Sequence, residues 1–218
     1  MKTDIATIVL EIPAFLFAIV FHEAAHAWMA LRFGDKTAKD LGRLTLNPVP
    51  HIDPLGTILM PLICASFSSV MFGWAKPVPI NASNFQVAKI RKAIFWSSFA
   101  GPLANIILVV VGSFLLAILY TKAEFLSLAP QIAQFLVYFI QINIILAVFN
   151  LVPLPPLDGS RMVGSFLTYP QLMRYEAIGR YSFFIFLVLI FTPFWPYVFL
   201  PFTKGTQWLV QIFCTLLA

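Results

Sequence analysis

The chain has 218 residues, of which 60% are hydrophobic and only 11% charged, with a mean hydropathy of +0.89. So few charges cannot cover the surface of a soluble domain this size, which excludes that class and leaves one polytopic membrane domain over residues 1–218. The net charge of +5 does not argue for nucleic acid, because the basic residues are scattered between apolar runs, where they set topology.

The first apolar segment runs from Ile5 to Phe33 and contains His22-Glu23-Ala24-Ala25-His26. On a helix the two histidines stand one turn apart on the same face, so both imidazoles can reach one ion. Glu23 then lies beside that ion, free to take a proton from a metal-activated water. This is the pattern of a hydrolytic zinc site, set in a membrane span. A cleaved signal peptide is the competing reading of this segment. Glu11 and Pro13 interrupt the apolar run, which is also too long for the core of such a signal.

Further apolar segments follow at Leu55–Phe72, Ile94–Tyr120, Ala129–Asn150 and Tyr181–Leu200, with a short last one at Gln207–Ala218. As a helix the last would rise only ~18 Å against ~30 Å of hydrocarbon, so it either extends upstream or lies partly in the interface. Pro193, Pro196 and Pro201 mark a break before it. Cys64 and Cys214 sit in apolar segments without a ligand or disulfide pattern and read as packing residues.

A full crossing by Leu55–Phe72 would divide Lys and Arg eight to six between the two faces. A re-entrant path puts eleven on one face and leaves Lys2, Lys122 and Lys204 opposite. The second split is a positive-inside signal, so the N-terminus is expected outside, with the metal site nearer the cytoplasmic face of the plasma membrane.

The re-entrant path also brings Asp158 to the histidines' side. The other candidates for a third ligand are His51 and Asp53, in a proline-rich stretch, and Glu11, nearly three turns from His22. Asp158 is a carboxylate embedded in apolar sequence, and a buried carboxylate needs a partner such as a zinc ion. The alternative is an Asp that caps a helix starting at Gly159 or Ser160. Asn143 reads as an interhelical hydrogen-bonding residue, and Gly101-Pro102 with Asn105 as close helix packing that lets the histidine helix approach.

Taken together, Phe21–His26, Gly42–Pro48 with His51–Pro54, Gly73–Pro79, Gly101–Asn105 and Asn150–Gly159 resemble the site-2 proteases, intramembrane zinc metalloproteases, in their compact bacterial branch without a PDZ domain. The resemblance implies one Zn2+ per chain held by His22, His26 and Asp158, Glu23 as catalytic base, and Asn150 beside the site. It also implies an all-α membrane fold of about five to six hydrophobic segments, with a membrane-embedded, partly β re-entrant region after the first span. The expected divisions are 1–33 for the zinc-motif span and 34–92 for the re-entrant region. Spans carrying Asn105, Asn150 and Asp158 follow over 93–167, and C-terminal segments over 168–218. Substrates would be membrane proteins whose helix is locally unwound.

Gly42–Asn47 reads as a short strand around Leu44 whose edge could hold such a substrate extended. The competing function is a metal-ion or proton transporter using the buried His, Glu and Asp. Substrate identity and oligomeric state are not readable from the chain.

Overall fold

The computed structural model describes residues 5–61, 63, 73–122, 128–190, 192 and 194–217. Among these the regular structure is helical and no strand is formed. Helix α1 spans Ile5–Arg32, α2 Thr37–Asp40, α3 Ile90–Lys122, α4 Ala129–Asn150, α5 Asp158–Gly164, α6 Tyr169–Glu176, α7 Ser182–Ile190 and α8 Phe194–Leu217. Three stretches are long and apolar enough to cross a membrane: Thr7–Arg32, Val87–Lys122 and Ala129–Asn150.

Helix α3 is the hub and packs against α1, α4, α5 and α8. Lipid is as apolar as these side chains, so dehydration does not drive the helices together; close packing and internal hydrogen bonds do. The contacts therefore use small residues: Ala14 and Ala18 on α1 and Ala117 on α3 are fully buried. At Gly112 an added Cβ would stand 2.9 Å from Ile140. Val109 and Leu116 of α3 interlock with Leu136, Ile140, Ile144 and Val148 of α4. On its outer side α3 leaves Ile107, Val111 and Leu115 about half exposed, an apolar face suited to lipid.

The chain leaves α1 through Asp35, only 1% exposed. Its carboxylate accepts hydrogen bonds from the Thr37 backbone (3.0 Å), the Asn81 backbone (2.7 Å) and the Asn84 amide (2.8 Å), tying the end of α1 to the approach to α3. Burial works against its charge, but these hydrogen bonds and that of the Thr37 hydroxyl outweigh it and hold the carboxyl below the ordinary range.

Between α2 and α3 the chain is irregular. Gly42 takes a positive φ of 66°, and residues 44–46 and 48 are bends, so the strand expected over Gly42–Asn47 is not formed. A strand needs a hydrogen-bonded neighbour, and the Thr45 carbonyl is occupied by the His51 ring (3.0 Å) instead. Of the expected segment Leu55–Phe72, residues 62 and 64–72, Cys64 among them, lie outside the described residues, and Gly56 meets Trp74 beyond it. The Trp74 N–H donates to the Gly56 carbonyl (3.1 Å), and the Thr57 hydroxyl donates to the Trp74 carbonyl (2.8 Å).

The C-terminal boundaries differ from the sequence expectation. Tyr181–Leu200 is not one helix: α7 ends at Ile190, and α8 runs unbroken from Phe194 to Leu217. The short last segment thus extends upstream. Pro196 falls in the first turn of α8, where its missing N–H would have no helical partner, so it starts the helix instead of ending it; Pro201 is carried inside.

A group whose folded pKa is depressed contributes stability above its unfolded pKa, and that contribution fades as pH falls through the folded value. Asp35 should therefore stabilise the protein at neutral pH and cease to do so in acid. Asp35→Asn, which removes the charge and a set of acceptor sites, should cost about 1–3 kcal/mol at pH 7. Thermal unfolding in detergent should show the gap between variant and parent closing at low pH.

Candidate metal centre

Helix α1 presents His22 and His26 one turn apart, both 6% exposed, with rings nearly perpendicular at 84°. Their Nε2 atoms stand 3.0 Å apart. Asp158 Oδ2 lies 3.1 Å from the first and 3.2 Å from the second. These are the atoms among the described residues that group as possible metal ligands.

Each ring is oriented through its other nitrogen. His22 Nδ1 lies 2.6 Å from Asn105 Oδ1, and His26 Nδ1 lies 2.6 Å from the Ser97 carbonyl. A carbonyl oxygen only accepts, as does the amide oxygen of Asn105, so both Nδ1 atoms must carry the proton. In the neutral rings both Nε2 atoms then offer lone pairs, and they face a carboxylate oxygen. Three acceptors converge with no donor among them, an arrangement that calls for a cation. Ligands about 2.0–2.2 Å from a tetrahedral zinc stand roughly 3.3–3.5 Å apart, so the spacing fits after a shift of a few tenths of an ångström.

Asp158 reaches the pair because the chain after α4 folds back on itself. It is the first residue of α5, Leu157 occupies the capping position, and no side chain caps the helix. The capping alternative for Asp158 thus falls away. Gly159 is required next to it: a Cβ there would lie 2.4 Å from the Leu151 carbonyl oxygen.

Glu23 stays out of the trio and accepts a hydrogen bond from the Val78 backbone (2.7 Å). A ligand cluster with a neighbouring free carboxylate is the equipment of a hydrolytic metalloenzyme. The sequence matches the description "Peptidase family M50" over residues 11–191. The chain belongs to this family, the site-2 proteases. It is a zinc metalloprotease and a membrane protein.

Among its relatives is YwhC of Bacillus subtilis, named as a candidate zinc metalloprotease, 42% identical over 188 residues that cover 85% of this chain and 82% of the relative. Rip2 of Mycolicibacterium smegmatis, named likewise, is 28% identical over 198 residues, covering 87% of this chain and 69% of its own length. Rip2 of Mycobacterium tuberculosis H37Rv is 25% identical over 183 residues, 84% of this chain and 66% of the relative. No solved structure matches the chain significantly.

The M50 site contains positioning groups that the sequence reading assigned to packing. Asn105, fully buried on α3, orients His22 and donates to the Ala18 carbonyl (3.1 Å) and to Asn143 of α4 (2.8 Å). Asn143 in turn donates to the Phe139 carbonyl (2.8 Å), so the interhelical role expected of it extends into the site. Spacing offers one signal for this: Asn105 is four residues after Gly101, one turn along the same face.

Gly101 itself admits the histidines. A Cβ there would stand 2.3 Å from His26 Nε2 and 2.7 Å from His22 Cε1. Leu44 packs with Ala27, Ala38 and Val78, next to the residue that holds Glu23. Asn150 is less engaged: at the end of α4 its amide donates to the Leu146 carbonyl (3.0 Å), with no hydrogen bond to the trio. His51 and Asp53 organise loops, the first on Thr45 and the second capping the turn at Leu55 and Gly56.

Removing the acceptor beside His22 should weaken metal binding. Asn105→Leu is expected to lower zinc affinity about 10–100-fold, whereas Asn143→Leu, which leaves the Asn105 acceptor beside His22 in place, retains most of it. Competition with a chromogenic chelator measures both. Gly101→Ala should prevent stoichiometric zinc uptake by the same assay.

Proposed function

We propose that the chain hydrolyses peptide bonds in or near transmembrane segments of membrane-protein substrates, the chemistry of regulated intramembrane proteolysis. His22, His26 and Asp158 hold one zinc ion and Glu23 is the general base. The observation that carries this reading is the convergence of three acceptor atoms within 3.2 Å beside a carboxylate that is not one of them.

Zinc, when bound, supplies Lewis acidity that acidifies water and polarises a carbonyl. Glu23 accepts the proton of the attacking water at its carboxylate. It then delivers that proton to the departing amine nitrogen, so the peptide bond breaks without a strongly basic leaving group. The imidazoles keep their Nδ1 protons on Asn105 and Ser97 throughout. Asn150 donates to the substrate carbonyl once its amide turns from Leu146.

A helical substrate hides its peptide bonds, so cleavage requires an extended segment. Residues 42–47 gain a strand partner from the substrate itself, with Leu44 anchored among Ala27, Ala38 and Val78. Gly56 meets Trp74, which supports placing the chain before Gly56 and after Trp74 on one face of the bilayer, the path on which Lys and Arg divide eleven to three. That path carries the positive-inside argument: the protein is multi-pass in the plasma membrane, N-terminus outside and catalytic site nearer the cytoplasm.

Glu23→Gln should keep one zinc per chain and lose cleavage of a transmembrane substrate by about 10²-fold or more. Elemental analysis and gel-based cleavage of the same preparation check both, and residual activity near the parent value would sink the assignment. Leu44→Pro should reduce cleavage while zinc content stays intact; equal cleavage rates would remove the strand-pairing role.

A further inference from the structure

Residues 73–80 contain no helix or strand, yet their hydrogen bonds alternate. The N–H of Trp74 donates to the Gly56 carbonyl (3.1 Å), that of Lys76 to the His51 carbonyl (2.9 Å), and that of Val78 to Glu23 Oε2 (2.7 Å). Alternate residues of an extended chain aim their backbone groups at the same edge. One edge of this segment is therefore anchored twice on protein backbone, and its third donor ends on a carboxylate of α1.

The segment is held from a second side as well. Arg43, 8% exposed, donates from one guanidinium nitrogen to the carbonyls of Lys76 (2.7 Å) and Pro77 (3.3 Å). Gly73 approaches so closely that a Cβ there would stand 2.5 Å from the Gly56 carbonyl oxygen. Val78 itself is 7% exposed and packs on Ala27, one residue beyond His26. The amide that meets Glu23 is thus delivered by a segment fixed at four places.

Glu23 needs such a partner. It is partly buried on α1, and Val78 supplies the hydrogen bond its carboxylate receives from protein among the described residues. A carboxylate on a long side chain has several rotamers, and a base contributes only when it is aimed at the proton it takes. We propose that the Val78 backbone amide is the positioning group for the general base: it holds Oε2 and leaves Oε1 free for the proton. This inference rests on the reading of Glu23 as base.

The test removes the donor and, by making the Pro77 carbonyl an ester's, weakens one of the two acceptors of Arg43. Replacing Val78 by its α-hydroxy analogue converts the N–H to an ester oxygen and leaves the side chain in place. The expected result is a kcat at least about tenfold lower, out of the roughly 10²–10⁴-fold that a positioned acid–base group contributes. KM should stay within about twofold and zinc at one per chain, a split that loosened folding would not give.

The same ester at Ala75, whose N–H has no hydrogen-bond partner among the described residues, likewise weakens the acceptor before it, the Trp74 carbonyl bonded by Thr57, and should leave both constants within twofold of the parent. A kcat within twofold of the parent for the Val78 ester, or loss of its zinc, overturns the proposal. Glu23→Gln run alongside separates the two readings: if that variant still cleaves, the base assignment itself fails.

Discussion

A shortage of protons governs this site. Two imidazole nitrogens and a carboxylate oxygen lie within 3.2 Å of one another, and none has a proton to give while the rings are neutral. Unmatched acceptors in a low-dielectric interior cost several kcal/mol each, more for a carboxylate. A cation at its centre would match all three acceptors, and the neighbouring sequence keeps them aimed at one point. Asn105 and Ser97 accept hydrogen bonds from the protonated Nδ1 atoms, which turns both Nε2 lone pairs inward. Gly101 leaves the space in front of them, and Gly159 lets the chain fold tightly enough to bring Asp158 across.

The membrane setting explains why these supports are themselves so fully hydrogen-bonded. Asn105 and Asn143 are completely buried in helices that are otherwise apolar, and each finds partners: Asn105 on His22, Ala18 and Asn143, Asn143 on Phe139. A half-satisfied amide at this depth would be worse than a leucine. The connected pair costs little, and it couples the orientation of His22 to the packing of α3 on α4. Misplacing either helix would therefore be felt at the metal.

How much of this was legible in the sequence depends on how local the signal is. The His22, Glu23, His26 trio is written in one turn of one helix, and Asp158 stands out as a carboxylate in apolar surroundings, so both could be read directly. Gly101 was legible as a point of close approach, and Asn143 as an interhelical partner. The attachment of Asn105 to His22 was not, because it depends on the rotation of α3 about its axis, which an apolar helix in lipid does not encode as a periodic pattern. Val78 was invisible for a different reason: its contribution is a backbone N–H, which every residue but proline has. The strand around Leu44 was overread, since its composition suits pairing but the described residues supply no partner strand. At the C-terminus a cluster of prolines reads as a break, although a proline in the first turn, like Pro196 in α8, opens a helix as readily as another closes one.

Irregular backbone at membrane depth is tolerated only where its polar groups are matched within the protein. Along residues 73–80 three donors and two carbonyls are matched in this way. The donors at Trp74, Lys76 and Val78 are matched to Gly56, His51 and Glu23, and Arg43 covers the carbonyls of Lys76 and Pro77. At Pro77 and Pro79 there is no N–H to match, which removes two donors from the opposite edge. Prolines there also make that edge a poor template for strand addition. An extended substrate, if bound as proposed, would find no donors at Pro77 and Pro79 and would leave the Val78 amide to Glu23.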